Sequence, residues 1–210
     1  MTTHRPPDEI LVDYASGTTS PGVSLLVASH LTHAPESRAR VREFERLGGI
    51  LLSEEAPAEM APNALDEVLG RLDDPEVSPT TRLQAGPLPQ PLVDRIGLNF
   101  DQIGWKTRLP GVAIYDLDGF EDEKVMLLRA KPGAKVPQHT HEGSELTLVL
   151  QGCLHDGGVD YSRGDVAVND EDDDHRPYAT GDEICYCLIV QQGDLRFTGT
   201  FSRILNYLGE

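Results

Sequence analysis

Cysteine is scarce in this 210-residue chain. There are three, Cys153, Cys185 and Cys187, an odd number and thinly spaced. That argues against a disulfide framework and fits a reducing cytoplasm. Cations are short as well: 18 lysines and arginines face 35 aspartates and glutamates, a formal charge of −17. A chain this acidic lacks the basic face that displaces counterions from phosphates, so no direct nucleic-acid binding is expected. Docking on anionic membranes is disfavoured for the same reason, whereas a basic protein partner is compatible. No run approaches the roughly 18 apolar residues of a membrane-spanning helix. Residues 1–8, MTTHRPPD, are polar where a signal peptide would be apolar.

What is present divides the chain in two. Residues 8–17, 20–34, 35–53 and 62–73 carry apolar residues at helical spacing. Ser20 suits an N-cap before Pro21, Pro35 restarts the third helix, and Gly48-Gly49 invites a bend there. Arg38, Arg40, Arg42 and Arg46 make the third helix the most basic stretch. The fourth helix shows a stripe of Leu65, Val68, Leu69 and Leu72. Residues 74–90 lose all period and read as a linker. From residue 91 the chain is short strands and turns, with strands expected at 111–117, 124–130, 145–151, 164–168, 183–190 and 195–201. The expected organisation is two-domain α + β: a helical domain over 1–73, the linker, and an antiparallel β-sandwich or small barrel over 91–210.

The chemistry concentrates in Gly133–Gly152, GAKVPQHTHEGSELTLVLQG. His139 and His141, two apart, share one face of a strand. Glu145 is two steps further on that alternation, and His175 is a fourth candidate downstream. Three imidazoles and a carboxylate suit one divalent metal ion. Zinc is expected, with Fe, Mn and Ni also open to such a donor set. His155 falls just past the strand and reads as a turn histidine. Cys185 and Cys187 share a strand face; buried thiols act as small apolar residues, and become oxidisable if that face meets the metal. No nucleophile motif or phosphate-cradling glycine loop stands out.

Gly133, His139, His141, Glu145 and Gly152 match the first cupin motif without gap or insertion, and Gly164 with His175 resembles a looser second motif. Asp172-Asp173-Asp174 stands where that second motif usually has Pro-x-Gly. Residues 91–210 therefore resemble a cupin, which implies a double-stranded β-helix, or jelly roll. The helical part, through ASHLTHAPESRARV, resembles the zinc-binding anti-sigma signature His-x3-Cys-x2-Cys. His30 takes the histidine position, Ala34 and Ser37 the two cysteine positions, and His4 the N-terminal histidine. Together the chain is similar to the ChrR family of anti-sigma factors.

That resemblance implies a helical domain that sequesters an extracytoplasmic-function type sigma factor. It also implies a metal-binding cupin needed for release under singlet oxygen, peroxide or similar oxidant stress. Neither alanine nor serine replaces a thiolate on zinc. So either the helical domain folds without metal on its apolar stripes, or a rewired site forms from His4, His30 and His33 with Glu36. A competing reading is a metal-dependent cupin enzyme, a dioxygenase or isomerase, with a helical cap. A homodimer is compatible with either.

Overall fold

A computed structural model describes residues 2–72, 86–98 and 100–199. Three helices open the chain: α1 (Asp8–Ser16), α2 (Pro21–Leu31) and α3 (Pro35–Glu54). Asp8 and Glu9 sit at the positive end of α1. Gly17 stops it with φ 75°, a left-handed conformation that glycine adopts without steric cost. Ser20 caps α2 by accepting from the Val23 N–H, and Pro21 stands at its first turn. α3 runs unbroken through Gly48 and Gly49. α4 (Ala64–Gly70) is shorter than expected, and its stripe of Leu65, Val68 and Leu69, with Leu72, is exposed rather than core. Most of the expected linker lies outside the described residues. Where the chain resumes, Leu88 is already buried and α5 (Gln90–Ile96) begins.

Eleven strands follow among the described residues: β1 (Lys106–Leu109), β2 (Val112–Leu117), β3 (Lys124–Ala130), β4 (His139–His141), β5 (Glu145–Gln151), β6 (Cys153–Asp156), β7 (Val159–Ser162), β8 (Val166–Asn169), β9 (Tyr178–Thr180), β10 (Cys185–Gln191) and β11 (Leu195–Phe197). Six form one antiparallel sheet in the order β1-β2-β3-β10-β5-β8. Two smaller sheets, β7-β6-β9 and β11-β4, make the second layer of the roll. The last strand was expected to reach residue 201; its final two residues fall outside the described ones.

The large sheet is buried on both faces. Outward, Val125 and Leu127 of β3, Leu146, Leu148 and Leu150 of β5, and Leu188 and Val190 of β10 join one cluster. Its other members include Leu11, Val23, Leu26, Val27, Leu92 and Val93 of the helices. Inward, Leu128, Val149, Cys185, Cys187 and Ile189 meet Leu154 and Ala179 of the second layer. This double burial is why ELTLVLQ and CYCLIVQ read as nearly continuous apolar runs. The helices on one side of the expected linker and the strands on the other thus share one core.

Polar clasps reinforce that packing. Glu123, between β2 and β3, accepts from the Ser20 hydroxyl at 2.6 Å and from the Gly22 N–H, tying the roll to the start of α2. The approach is close: a Cβ on Gly22 would stand 2.5 Å from Glu123 Oε1 and 2.7 Å from Val125 Cγ2. On the other side Asp165 Oδ1 accepts the Thr3 and His4 N–H groups at 2.6 and 2.9 Å.

Candidate metal centre

β4 holds only His139, Thr140 and His141, and both imidazoles point inward, as the two-residue spacing requires. Glu145 does not continue that strand. β4 pairs with β11, the chain turns at residues 142–144, and Glu145 opens β5 in the large sheet. The carboxylate therefore meets the imidazoles from across the roll, which corrects the expected single-strand alternation. His175 is placed by a backbone bridge to His139, with the two N–H···O bonds at 3.0 Å each. The ligand atoms of His139, His141, Glu145 and His175 all lie within 4.8 Å of one another, and all four residues are buried.

The ring contacts orient the set. His139 Nδ1–H donates to the Pro137 carbonyl at 2.7 Å, which leaves Nε2 for the centre. His175 Nδ1–H donates to Asp156 Oδ2 at 2.7 Å. His175 Nε2 then lies 3.0 Å from His141 Nε2, itself 3.5 Å from Glu145 Oε2. Burial lowers His139 and His141 to a pKa of about 4, so both are neutral, ligand-competent imidazoles at neutral pH. Burial raises Glu145 to about 7. Burial also works to lower His175, but the hydrogen bond and charge of Asp156 outweigh it and its pKa is raised. Converging nitrogen lone pairs beside a desolvated carboxylate are relieved by a cation. The His175–Asp156 pair is the outer support that metal-bound histidines usually carry. The four residues fit a divalent metal ion, as expected from their spacing; the donor set does not choose among zinc, iron, manganese and nickel.

Asp156 was missed in the sequence. The signal was there: in CLHD, Leu154 and Asp156 share a face, and an inward leucine turns the acid inward too. His155, read as a turn residue, lies on β6 and points the other way, bonded to Asp160 at 2.6 Å. A cavity of about 390 Å³ lies between the layers and opens on His139, Glu145 and Asp156. Cys185 and Cys187 also face the interlayer side, with sulfurs 3.6 Å apart. The hydrogen bond from Cys185 and then burial push the Cys187 thiol well above its usual pKa, so it is a poor thiolate.

The alternative set of His4, His30 and His33 does not converge. His30 Nδ1–H donates to the Gly164 carbonyl and Nε2 accepts from the Ser37 hydroxyl, both at 2.8 Å. Both ring nitrogens are thus occupied, and Ala34 is fully buried. His4 packs against Tyr161 with the rings tilted by 55° and their centroids 4.9 Å apart, and Glu36 is exposed. Among the described residues, the group able to hold a metal is the one in the roll. The helical part is closed by hydrogen bonds where the signature it resembles has zinc.

A two-layered antiparallel roll with three imidazoles and one carboxylate at its centre, roofed by helices, defines a cupin-type protein with a candidate metal centre and a helical module. The ChrR cupin-like domain family matches residues 93–195. The anti-sigma-E factor ChrR of Cereibacter sphaeroides is 34% identical over 203 residues, covering 96% of this chain and 95% of that protein. The crystal structure of Rhodobacter sphaeroides SigE in complex with the anti-sigma ChrR contains a chain that superposes with a TM-score of 0.81 at 35% identity. The match covers 91% of this chain and 100% of that one. The chain belongs to the ChrR family of anti-sigma factors.

Proposed function

We propose that this protein sequesters an extracytoplasmic-function type sigma factor through its helical part and senses oxidant stress through its cupin metal centre. The observation that carries the sequestration is a set of apolar residues left exposed among the described residues. Leu47, Ile50, Leu51 and Leu52 on the second half of α3, and Leu65, Val68, Leu69 and Leu72 around α4, are all exposed. Contiguous exposed apolar residues mark a protein-interaction site. The similar ChrR was crystallised with SigE, which supports a sigma factor as the occupant. The arginines contribute less than their number implies. Arg40 is held by Asp8 at 2.7 Å and by Glu43, and Arg38 donates to the Leu31 carbonyl, which leaves Arg42 and Arg46 as the exposed cations of that helix.

The bound ion, zinc in this reading, would be a Lewis acid joining β4, β5 and the segment of His175. Glu145, which would ligate it, is followed on β5 by Leu146 and Leu148, which pack under the helices. A change at the centre is therefore one strand away from α2, and it biases whether the helices hold their partner. The cavity beside the ligands would also suit a dioxygenase, but membership of an anti-sigma family favours the regulator. The test uses the complex with a sigma factor of the SigE type. Oxidant should release the sigma factor from wild type and not from His139→Ala. Failure of the wild-type chain to hold any sigma factor would sink the reading.

A further inference from the structure

Asp156 is 4% exposed and lines the interlayer cavity beside His139 and Glu145. Its Oδ2 is used twice, accepting from His175 Nδ1–H at 2.7 Å and from Asn169 at 3.1 Å. Its Oδ1 has no hydrogen-bond partner among the described residues. Leaving a buried carboxylate oxygen without a donor costs free energy. Much of the remaining wall is apolar, Ile114, Met126, Leu128 and Ile189 from the large sheet and Leu195 and Phe197 from β11, with Arg108, Thr147 and Gln191 as further polar residues of the lining. A volume of about 390 Å³ is within the range of small-molecule sites.

From this geometry we propose that the cavity binds a small neutral amphipathic molecule, its apolar body against these walls and one hydroxylic O–H donated to Asp156 Oδ1. An ionised carboxylate only accepts, so the head must donate. An anionic head at Oδ1 would meet Asp156 and Glu145, while the one arginine of the lining, Arg108, is exposed and lies 4.0 Å from Asp116. A cationic head would meet the ion held by the four ligands. A hydroxyl avoids both conflicts and ends the isolation of Oδ1. The proposal extends the sensor reading by giving the sensor a ligand class, and rests on that reading for its use in the cell. Binding itself is a property of this chain alone.

Calorimetric titration of the zinc-loaded full chain, without any sigma factor, tests it with three probes: 1-octanol, octyl methyl ether and octylammonium. The expected result is saturable one-to-one binding of 1-octanol, at least tenfold tighter than either other probe. Met126→Trp, which fills the cavity from its wall, should abolish octanol binding while elemental analysis shows unchanged zinc. Asp156→Asn should bring octanol and its ether within threefold of each other. Absence of saturable octanol binding to wild type overturns the proposal. So does equal affinity for octanol and the ether, the outcome expected if Oδ1 serves only a water on the metal. Undiminished binding by a folded Met126→Trp overturns it as well; should that variant not fold, the ether comparison on wild type decides alone. A chain that binds octanol but holds no sigma factor would refute the function proposed above and leave this site standing.

Discussion

The exposed ridge on α3 sets up a sharp test, because partner binding and folding draw on different residues there. Leu47 and Leu51 are four apart and so share a face of the helix; they are 55% and 58% exposed. Fully burying a leucine is worth about 1.5–3 kcal/mol, so covering what each still shows contributes about 1–2 kcal/mol. Leu47→Asp/Leu51→Asp forfeits both contributions and adds the cost of desolvating two carboxylates. A loss of at least about 2–4 kcal/mol, some thirtyfold to a thousandfold in Kd, is expected. Folding should be nearly untouched, within about 0.5 kcal/mol, because neither side chain belongs to the core. The assay is surface-plasmon titration of the variant against the sigma factor, with thermal denaturation in parallel. Sigma binding within threefold of wild type would refute the assignment of this ridge. So would a loss of affinity matched by a collapse in Tm, since the leucines would then be structural.

Three other outcomes follow from the geometry. In the metal-free site Glu145 titrates at about 7, and it must ionise to ligate, so zinc affinity rises with pH through that value. At pH 6 the apparent Kd should be about tenfold weaker than its plateau above pH 8, with the raised His175 adding in the same direction; competition titration should show a shallower dependence for Glu145→Gln. Gly22→Ala drives a methyl into Glu123 and Val125, and should cost about 1–3 kcal/mol, seen as a Tm lower by several degrees. Elemental analysis should find one zinc per wild-type chain; Ala34→Cys/Ser37→Cys should raise this to two, since Ser37 already touches His30.

Much of the centre was legible because spacing dictates it. His139 and His141 must share a face, and strands 124–130 and 145–151 are bounded by charge, proline and glycine, so both appear with the expected limits. β7 and β9 were not legible, since three or four residues are too few to show alternation, and in β6 the shared face of Leu154 and Asp156 was passed over. Glu145 was assigned to the right site by the wrong path, because a sequence pattern does not reveal that a turn hands the chain to another sheet. The shared core was hidden for a subtler reason. The apolar residues on both faces of β5 and β10 implied cover on both sides, yet they read equally well as one self-sufficient sandwich. Conversely the stripe on α4 had the period of a core helix and is exposed, because periodicity shows which residues lie together and not what covers them.

The Ser37 hydroxyl on His30 has a consequence for how the cell can address this protein. A zinc–thiolate knot can be opened by starvation, by chelation or by oxidation of its sulfur. Here the helices carry no cysteine to oxidise and, among the described residues, no metal ligand set to empty. In the proposed reading, zinc scarcity and thiol oxidation would therefore reach the helical half through the roll on which it rests. Where a relative with the full signature would have two doors, the proposed reading gives this chain one.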